Sequence, residues 1–317
     1  PHSEAASKST SSSRAISNES VDLRKWATEK GFTVDWHKPS GKITLKARWS
    51  KVEMVYGSRR IEIDGVGVWL SFPIGRFKNS IGISEKDIAT VLEPILFPKR
   101  GSTPIRLVAL DPGHGGKDPG FQRGPHQEKE YTLKLAREVQ ELLSEAGLQS
   151  FLTRRSDTFI DLDERPAIAK KQGADLMVSL HFNCAPDLAS VQGVETFCAT
   201  PHGTSSTSGG EPVLLPNPGN KHDPENVLLA YHVQKAIITQ LGMNDRGVRR
   251  AGFIVLKRSS LPTILVEGGF MSHREDSAII FSDARRKKMA QAIVDGILAY
   301  KRLKERVPAT TQKSKVK

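Results

Sequence analysis

Apolar positions follow two rhythms along the chain, and the change comes near residue 105. Between residues 21 and 96, polar and apolar side chains alternate or cluster in short runs at 32–36, 43–49, 52–56, 61–63 and 68–72. A two-residue period of this kind marks half-buried strands. Turn signals at Pro39-Ser40-Gly41 and Asp64-Gly65 separate them. A short helix is expected ahead of the strands, with Ser20 as N-cap, Leu23 and Trp26 on one face and Gly31 at its end. A second is expected from Ser84, where Asp87 stands three residues on as a capping-box carboxylate. The pattern predicts a small α+β module over residues 21–97, then a linker over 98–104.

From residue 105 the rhythm becomes that of an α/β sheet, with strands alternating with helices. Short apolar runs at 105–111, 149–153, 175–181, 193–198, 253–256 and 263–267 fit buried strands. Between them Leu135, Val139, Leu142, Leu143 and Ala146 share one helical face that ends at Gly147, and later helices are expected over 225–241 and 284–301. Residues 200–224, rich in Ser, Gly and Pro, interrupt the order and are too long for an ordinary connection. They are read either as a rim or lid over a cleft or as a passive insertion.

Length and composition narrow this picture. The 317 residues suffice for two domains. No apolar run approaches the ~18 residues of a membrane helix, so a transmembrane segment is excluded. Two cysteines, Cys184 and Cys198, are too few for a disulfide scaffold or a thiolate zinc finger. Any metal must therefore be held by His and carboxylates. A disulfide between the two and a pair of separate thiols both remain open. Residues 1–20 hold eight serines and almost no large apolar side chains, the composition of a disordered leader.

The net charge of +12 invites a nucleic-acid reading, but its placement argues against one. Residues 101–300 carry 23 basic and 23 acidic side chains. A nucleic-acid enzyme needs its positive field around the working cleft. The surplus lies instead in residues 21–100, with 15 basic against 9 acidic, and in 301–317, with 7 against one. A basic disordered tail is expected over 303–317, and both basic regions are candidates for contact with an anionic polymer.

Three of the expected strands end in, or run straight into, an ionisable residue: 107–111 leads to His114, 175–180 to His181 and 264–266 to Glu267. Ligands bind at the carboxyl ends of strands in open α/β sheets, so groups distant in sequence can converge there. Asp111-Pro112-Gly113-His114-Gly115-Gly116 also packs glycines around a His, which lets backbone approach a ligand closely or cradle a phosphate.

The segments Asp111-Pro-Gly-His-Gly-Gly-Lys-Asp-Pro-Gly120, Glu128-Lys-Glu130, Ser179-Leu-His-Phe-Asn183 and Val266-Glu-Gly-Gly-Phe270 resemble the zinc-dependent N-acetylmuramoyl-L-alanine amidases of the amidase-3 type. Thr153-Arg154, Glu164-Arg165, Arg246-Gly247-Val248 and the helix leading to Tyr300 keep the same order, and the resemblance covers residues 105–302. Thr132 stands where the family often has Asn, and Gly268 where it often has Leu. The resemblance implies an open mixed sheet flanked by helices, one zinc on His114, Glu128 and His181, and Glu267 as the catalytic carboxylate. Two His and one Glu leave a fourth position on zinc for water or substrate. Asp111 is read as the hydrogen-bond partner of a ligand His, with direct ligation as the alternative. Asn183 and Arg246 are expected to support the ligands or touch substrate.

The implied reaction is hydrolysis of the amide between N-acetylmuramic acid and L-alanine in peptidoglycan, and the implied place is secreted, periplasmic or at the cell wall. A non-catalytic peptidoglycan-binding protein would be expected to lack a ligand or Glu267. A zinc peptidase acting within the stem peptide would share the metal chemistry. The amino-terminal module is similar to the copper-amine-oxidase amino-terminal type. Its four tryptophans, Trp26, Trp36, Trp49 and Trp69, are read as core filling, and Glu130 and His126 as surface neighbours of Glu128.

Overall fold

Residues 19–99, 104–185 and 190–305 are described by a computed structural model. Most of the expected leader and linker, and the tail from residue 306, lie outside the described residues.

The amino-terminal strands form because their apolar residues alternate. After β1 (Ser20–Asp22) and α1 (Leu23–Glu29) come β2 (Thr33–His37), β3 (Lys42–Lys46), β4 (Lys51–Val55), β5 (Arg60–Ile63) and β6 (Val66–Trp69). Ile43 and Leu45, Val52 and Met54, and Ile61 and Ile63 point to one side and are fully or almost fully buried. Strands β2 to β6 pair in sequence as an antiparallel meander. Then β7 (Gly75–Phe77) and β8 (Ser80–Ser84) join β1 in a separate three-stranded sheet. Ser20 is drawn into that pairing opposite Ser84. The cap of α1 is therefore Asp22, whose side chain accepts from the backbone N–H of Arg24 at 2.9 Å and Lys25 at 3.2 Å.

The carboxy-terminal part contributes β9 (Leu107–Pro112), α2 (Glu128–Glu145), β10 (Gln149–Leu152), α3 (Glu164–Lys171), β11 (Leu176–Asn183), β12 (Val194–Ala199), α4 (Asp223–Leu241), β13 (Asp245–Ala251), α5 (Ile254–Lys257), β14 (Thr263–Phe270), α6 (Arg274–Ile280) and α7 (Asp283–Glu305). Successive side chains enter opposite faces. Val108 and Leu110 of β9 join the large core under α2, α4 and α7, while Ala109 joins a smaller cluster with Ala169 of α3. Burial on both faces explains why these strands read as continuous apolar runs.

The two halves share one eleven-stranded sheet, in the order β10-β9-β11-β14-β12-β13-β6-β5-β4-β3-β2. It is mixed: β10, β9, β11 and β14 run parallel, β12 runs antiparallel to β14, and β13 runs parallel to β12 and to β6. The junction is a single register pair, Val248 with Val68. Around it, Gly67 N–H donates to Asp245 Oδ2 at 2.5 Å, Tyr231 Oη–H to the Ile63 carbonyl at 3.1 Å, and the buried Arg250 guanidinium to the Thr90 carbonyl at 2.7 Å. The module expected over 21–97 is thus continuous in sheet and core with the part that follows.

Near residue 250 two elements differ from the sequence-based expectation, as do the strands of the small sheet. Residues 253–256 form the helical turn α5, since an apolar run this short carries no decisive period. The strand in that region is β13, Asp-Arg-Gly-Val-Arg-Arg-Ala, whose charge hid it. Its arginines are accommodated because buried acceptors lie opposite them.

Candidate metal centre

Parallel pairing brings the ends of β9, β11 and β14 together. Leu180 lies opposite Pro112, and His181 opposite Glu267. His114 follows β9 after one glycine, and Glu128 is the first residue of α2, where a carboxylate is favoured by the helix dipole. The donor atoms form a near-equilateral triangle. His114 Nε2 is 3.0 Å from Glu128 Oε1, His181 Nδ1 is 3.2 Å from the same oxygen, and the two nitrogens are 3.2 Å apart. Ligands about 2.1 Å from one tetrahedral zinc stand about 3.4 Å apart, so the triangle is close to what such an ion requires.

The surrounding groups fix these atoms. His114 Nδ1 lies 2.8 Å from Asp118 Oδ2, a contact that places the proton on Nδ1 and leaves Nε2 as the donor atom. Glu128 accepts from the backbone N–H of Phe121 and of Phe182, both at 3.1 Å. Burial opposes its charge, yet the hydrogen bonds and charges of His114 and His181 outweigh that and hold its carboxyl well below the ordinary range. A Cβ on Gly113 would stand 2.2 Å from the His181 ring, and one on Gly120 2.6 Å from Glu128 Oε2. Both positions need the missing side chain.

The loop itself is strained at His114, whose φ is +60°. Two buried guanidiniums hold it. Arg165 donates to the carbonyls of Pro112 at 2.8 Å and His114 at 2.9 Å, and Arg154 to those of Pro112 at 3.0 Å and Gly113 at 2.8 Å. Burial and the neighbouring Arg165 push Arg154 down to about 10. Asp111 is fully buried beneath the loop and accepts from Thr153, Arg165 and Ser179 at 2.6, 3.0 and 2.8 Å. It anchors the loop, and the carboxylate that meets the His114 ring is Asp118 instead. Asp118 follows His114 by one helical turn's spacing in a Gly-rich loop, a signal present in the sequence and left without a role.

Glu267 faces a cleft of about 550 Å³ whose walls include His114, Glu128, His181, Leu162 and Phe253. Its Oε2 is buried without a hydrogen-bond partner among the described residues. Burial, then the charges of Glu128 and Glu195, raise its proton affinity well above that of an ordinary carboxylate; a bound dication would oppose that shift.

Asn183 and Arg246 meet at a residue for which no role was read from the sequence. Asn183 Nδ2 donates to Glu195 Oε1 at 2.7 Å, and Arg246 Nε and Arg249 Nη1 donate to Oε2 at 3.0 and 2.6 Å. The available signal was one carboxylate in the middle of an otherwise uncharged strand at 193–198, since a fully buried acid is nearly always paired.

Both cysteines are free thiols, Cys184 on the cleft and Cys198 buried with its pKa pushed up to about 11. His126 stacks on Phe281 with centroids 4.0 Å apart and bonds Tyr131 Oη at 2.5 Å, so it is more than a surface neighbour; Glu130 is exposed. Of the tryptophans only Trp26 is buried, while Trp49 is half exposed. Residues 200–224 are tied to β13, with Thr207 N–H donating to the Arg250 carbonyl at 2.9 Å and Arg250 N–H to Thr207 Oγ1 at 2.7 Å. The cleft walls come from other segments.

The sequence pattern of the N-acetylmuramoyl-L-alanine amidase family, amidase-3 type, matches residues 108–299. Amidase AmiA of Salmonella typhimurium is 33% identical over 220 residues, spanning 62% of this chain and 76% of AmiA. The probable cell wall amidase LytH of Staphylococcus epidermidis is 27% identical over 262 residues, spanning 82% of this chain and 73% of LytH. Among solved structures, the amidase AmiC2 of Nostoc punctiforme superposes with a TM-score of 0.52 at 34% identity, covering 62% of this chain and 96% of AmiC2. A matched family pattern over more than half the chain, on a mixed sheet that carries the donor triangle at its strand ends, leads to one conclusion: the chain belongs to the amidase-3 family of N-acetylmuramoyl-L-alanine amidases.

Proposed function

We propose that this protein hydrolyses the amide joining the lactyl group of N-acetylmuramic acid to L-alanine of the peptidoglycan stem peptide, with one zinc held by His114, Glu128 and His181. The observation that carries the proposal is the triangle of donor atoms, 3.0 to 3.2 Å on each side, beside an oxygen of Glu267 that has no partner among the described residues, in an open cleft. Zinc, when bound, polarises a carbonyl and lowers the pKa of water.

The remaining steps belong to the chain. Asp118 holds His114 in the tautomer that presents Nε2. Arg154 and Arg165 keep the 112–114 loop in its strained form, so the ring does not swing away. The buried Oε2 of Glu267 takes a proton from the attacking water, and the same carboxyl returns it to the departing nitrogen of L-alanine.

Mass spectrometry of digested peptidoglycan tests the assignment. Free lactyl carboxyl ends paired with new L-alanine amines are the expected termini, and new termini inside the stem peptide would replace the amidase with a peptidase. A peptidoglycan substrate supports a secreted, periplasmic or wall-associated location for this activity. The basic surplus of residues 21–100 supports a second contact, to an anionic envelope polymer, although Lys42 and Lys51 already share Glu53, and Lys30 pairs with Glu93.

A further inference from the structure

We propose that Glu195 is a positioning residue for Glu267, clamped by Arg246 and Arg249 and braced from the amino-terminal half of the sheet by Trp69. The inference rests on Glu267 as the proton carrier. His181, Glu267 and Glu195 occupy one row across three adjacent strands: His181 of β11 is the register partner of Glu267 in β14, and Glu267 is the register partner of Glu195 in β12. Side chains so paired share a face of the sheet, with Cβ atoms about 5 Å apart. Glu267 is therefore flanked by a metal-binding ring on one side and by Glu195 on the other.

A side-chain bridge crosses the strand end that carries Glu267. Asn183 of β11 donates to Glu195 of β12 at 2.7 Å, and β14 lies between those two strands. Both oxygens of Glu195 are taken, one by Asn183 and the other by the two guanidiniums. It is a buried anion with no freedom to swing, and it confines Glu267 to the metal side of the row. A buried ion cluster of this kind adds little stability over apolar packing, which makes placement its more economical use.

The clamp is anchored both on the strand of Glu267 and beyond it. The Arg246 guanidinium lies 5.0 Å from the Phe270 ring centroid at the end of β14, and that of Arg249 lies 5.3 Å from Trp69 and 5.7 Å from Phe197. Trp69 Nε1–H donates to the Arg246 carbonyl at 3.0 Å. Trp69 ends β6, next to the register pair that joins the halves of the sheet. The path Trp69, Arg246 and Arg249, Glu195, Glu267 is thus continuous through contacts.

The test measures kcat, KM, zinc content and Tm for full-chain variants. Glu195→Ala is expected to lower kcat about ten- to a hundredfold with zinc content retained, and KM within about twofold of the parent. Glu195→Gln, which keeps an acceptor for Asn183, should recover part of that loss. Trp69→Phe removes the N–H donor and shrinks the ring that faces Arg249, and should lower kcat severalfold, whereas adding it to Glu195→Ala should cost nothing more, because both act through one path. Val52→Ala, buried in β4 away from the clamp, should lower Tm and leave kcat alone. Normal kcat in Glu195→Ala beside an inactive Glu267→Gln overturns the positioning role by itself. Normal kcat in Glu267→Gln overturns it together with the proton-carrier reading. A kcat loss in Val52→Ala equal to that of Glu195→Ala at matched Tm loss reduces the effect to stability and overturns it too.

Discussion

The two halves of the eleven-stranded sheet bury their strands by different rules. In the meander, β3, β4 and β5 each turn one face to the core and the other outward, and their polar residues make local pairs such as Lys42 with Glu53. In the mostly parallel half both faces are covered, so strand polarity has nowhere to go except the ends, and the ends are where His114, His181 and Glu267 collect. Between them β13 carries three arginines, Arg250 fully buried and Arg246 and Arg249 partly so. The contrast teaches that reactive groups need parallel neighbours, whose carboxyl ends align, whereas an antiparallel meander distributes its charge and offers no such convergence.

That comparison can be broken or sharpened by substitution, and the largest effect is expected at the parallel ends. Glu267→Gln keeps size but cannot carry a proton, and its turnover should fall by about 10² to 10⁴ with zinc retained. Near-normal hydrolysis by a zinc-loaded variant would make Glu267 structural.

In the other half the titrating group serves folding. Burial raises buried Asp87 to about 6 from an ordinary 3.8, although it accepts from the backbone N–H of Ser71 and Phe72. The folded state thus holds a proton that the unfolded state has lost. Stability is then highest below the lower value and falls as pH rises through about 6, by about 3 kcal/mol from this group. Asp87→Asn should abolish that pH-dependent fall in denaturation midpoints and leave turnover unchanged; an unaltered slope would assign the proton elsewhere.

Smaller effects follow. Asp118→Ala frees the His114 ring and should weaken zinc binding about 10- to 100-fold in competition with a chelator. Neutralising Lys38, Lys46 and Lys78, all exposed on the meander half, should weaken sedimentation with insoluble wall severalfold at low ionic strength. No difference should remain near 1 M salt, where the screening length is about 3 Å. Equal binding of parent and variant at low salt would leave the basic surplus to solubility alone.

Much of the catalytic half was legible in the sequence because its signals are local. Apolar runs that stop at a His or Glu identify strand ends, and glycines beside His114 identify a close approach; Gly113 proves to be the one facing the His181 ring. What stayed hidden depends on partners far away in the chain. Nothing in Asp245–Ala251 announces a strand until Glu195 and the Thr90 carbonyl are opposite its arginines. The joining of the halves was equally invisible, since one register pair and hydrogen bonds between residues far apart in the chain mark it. The role expected of Asp111 went to Asp118 because Arg165, Thr153 and Ser179 already occupy the deeper carboxylate.

The claim on which the rest depends is that one metal ion sits among His114, Glu128 and His181, and metal analysis of the purified chain beside His181→Ala tests it most directly. One zinc per chain in the parent and none in the folded variant is the result predicted. Full zinc occupancy in His181→Ala would contradict it.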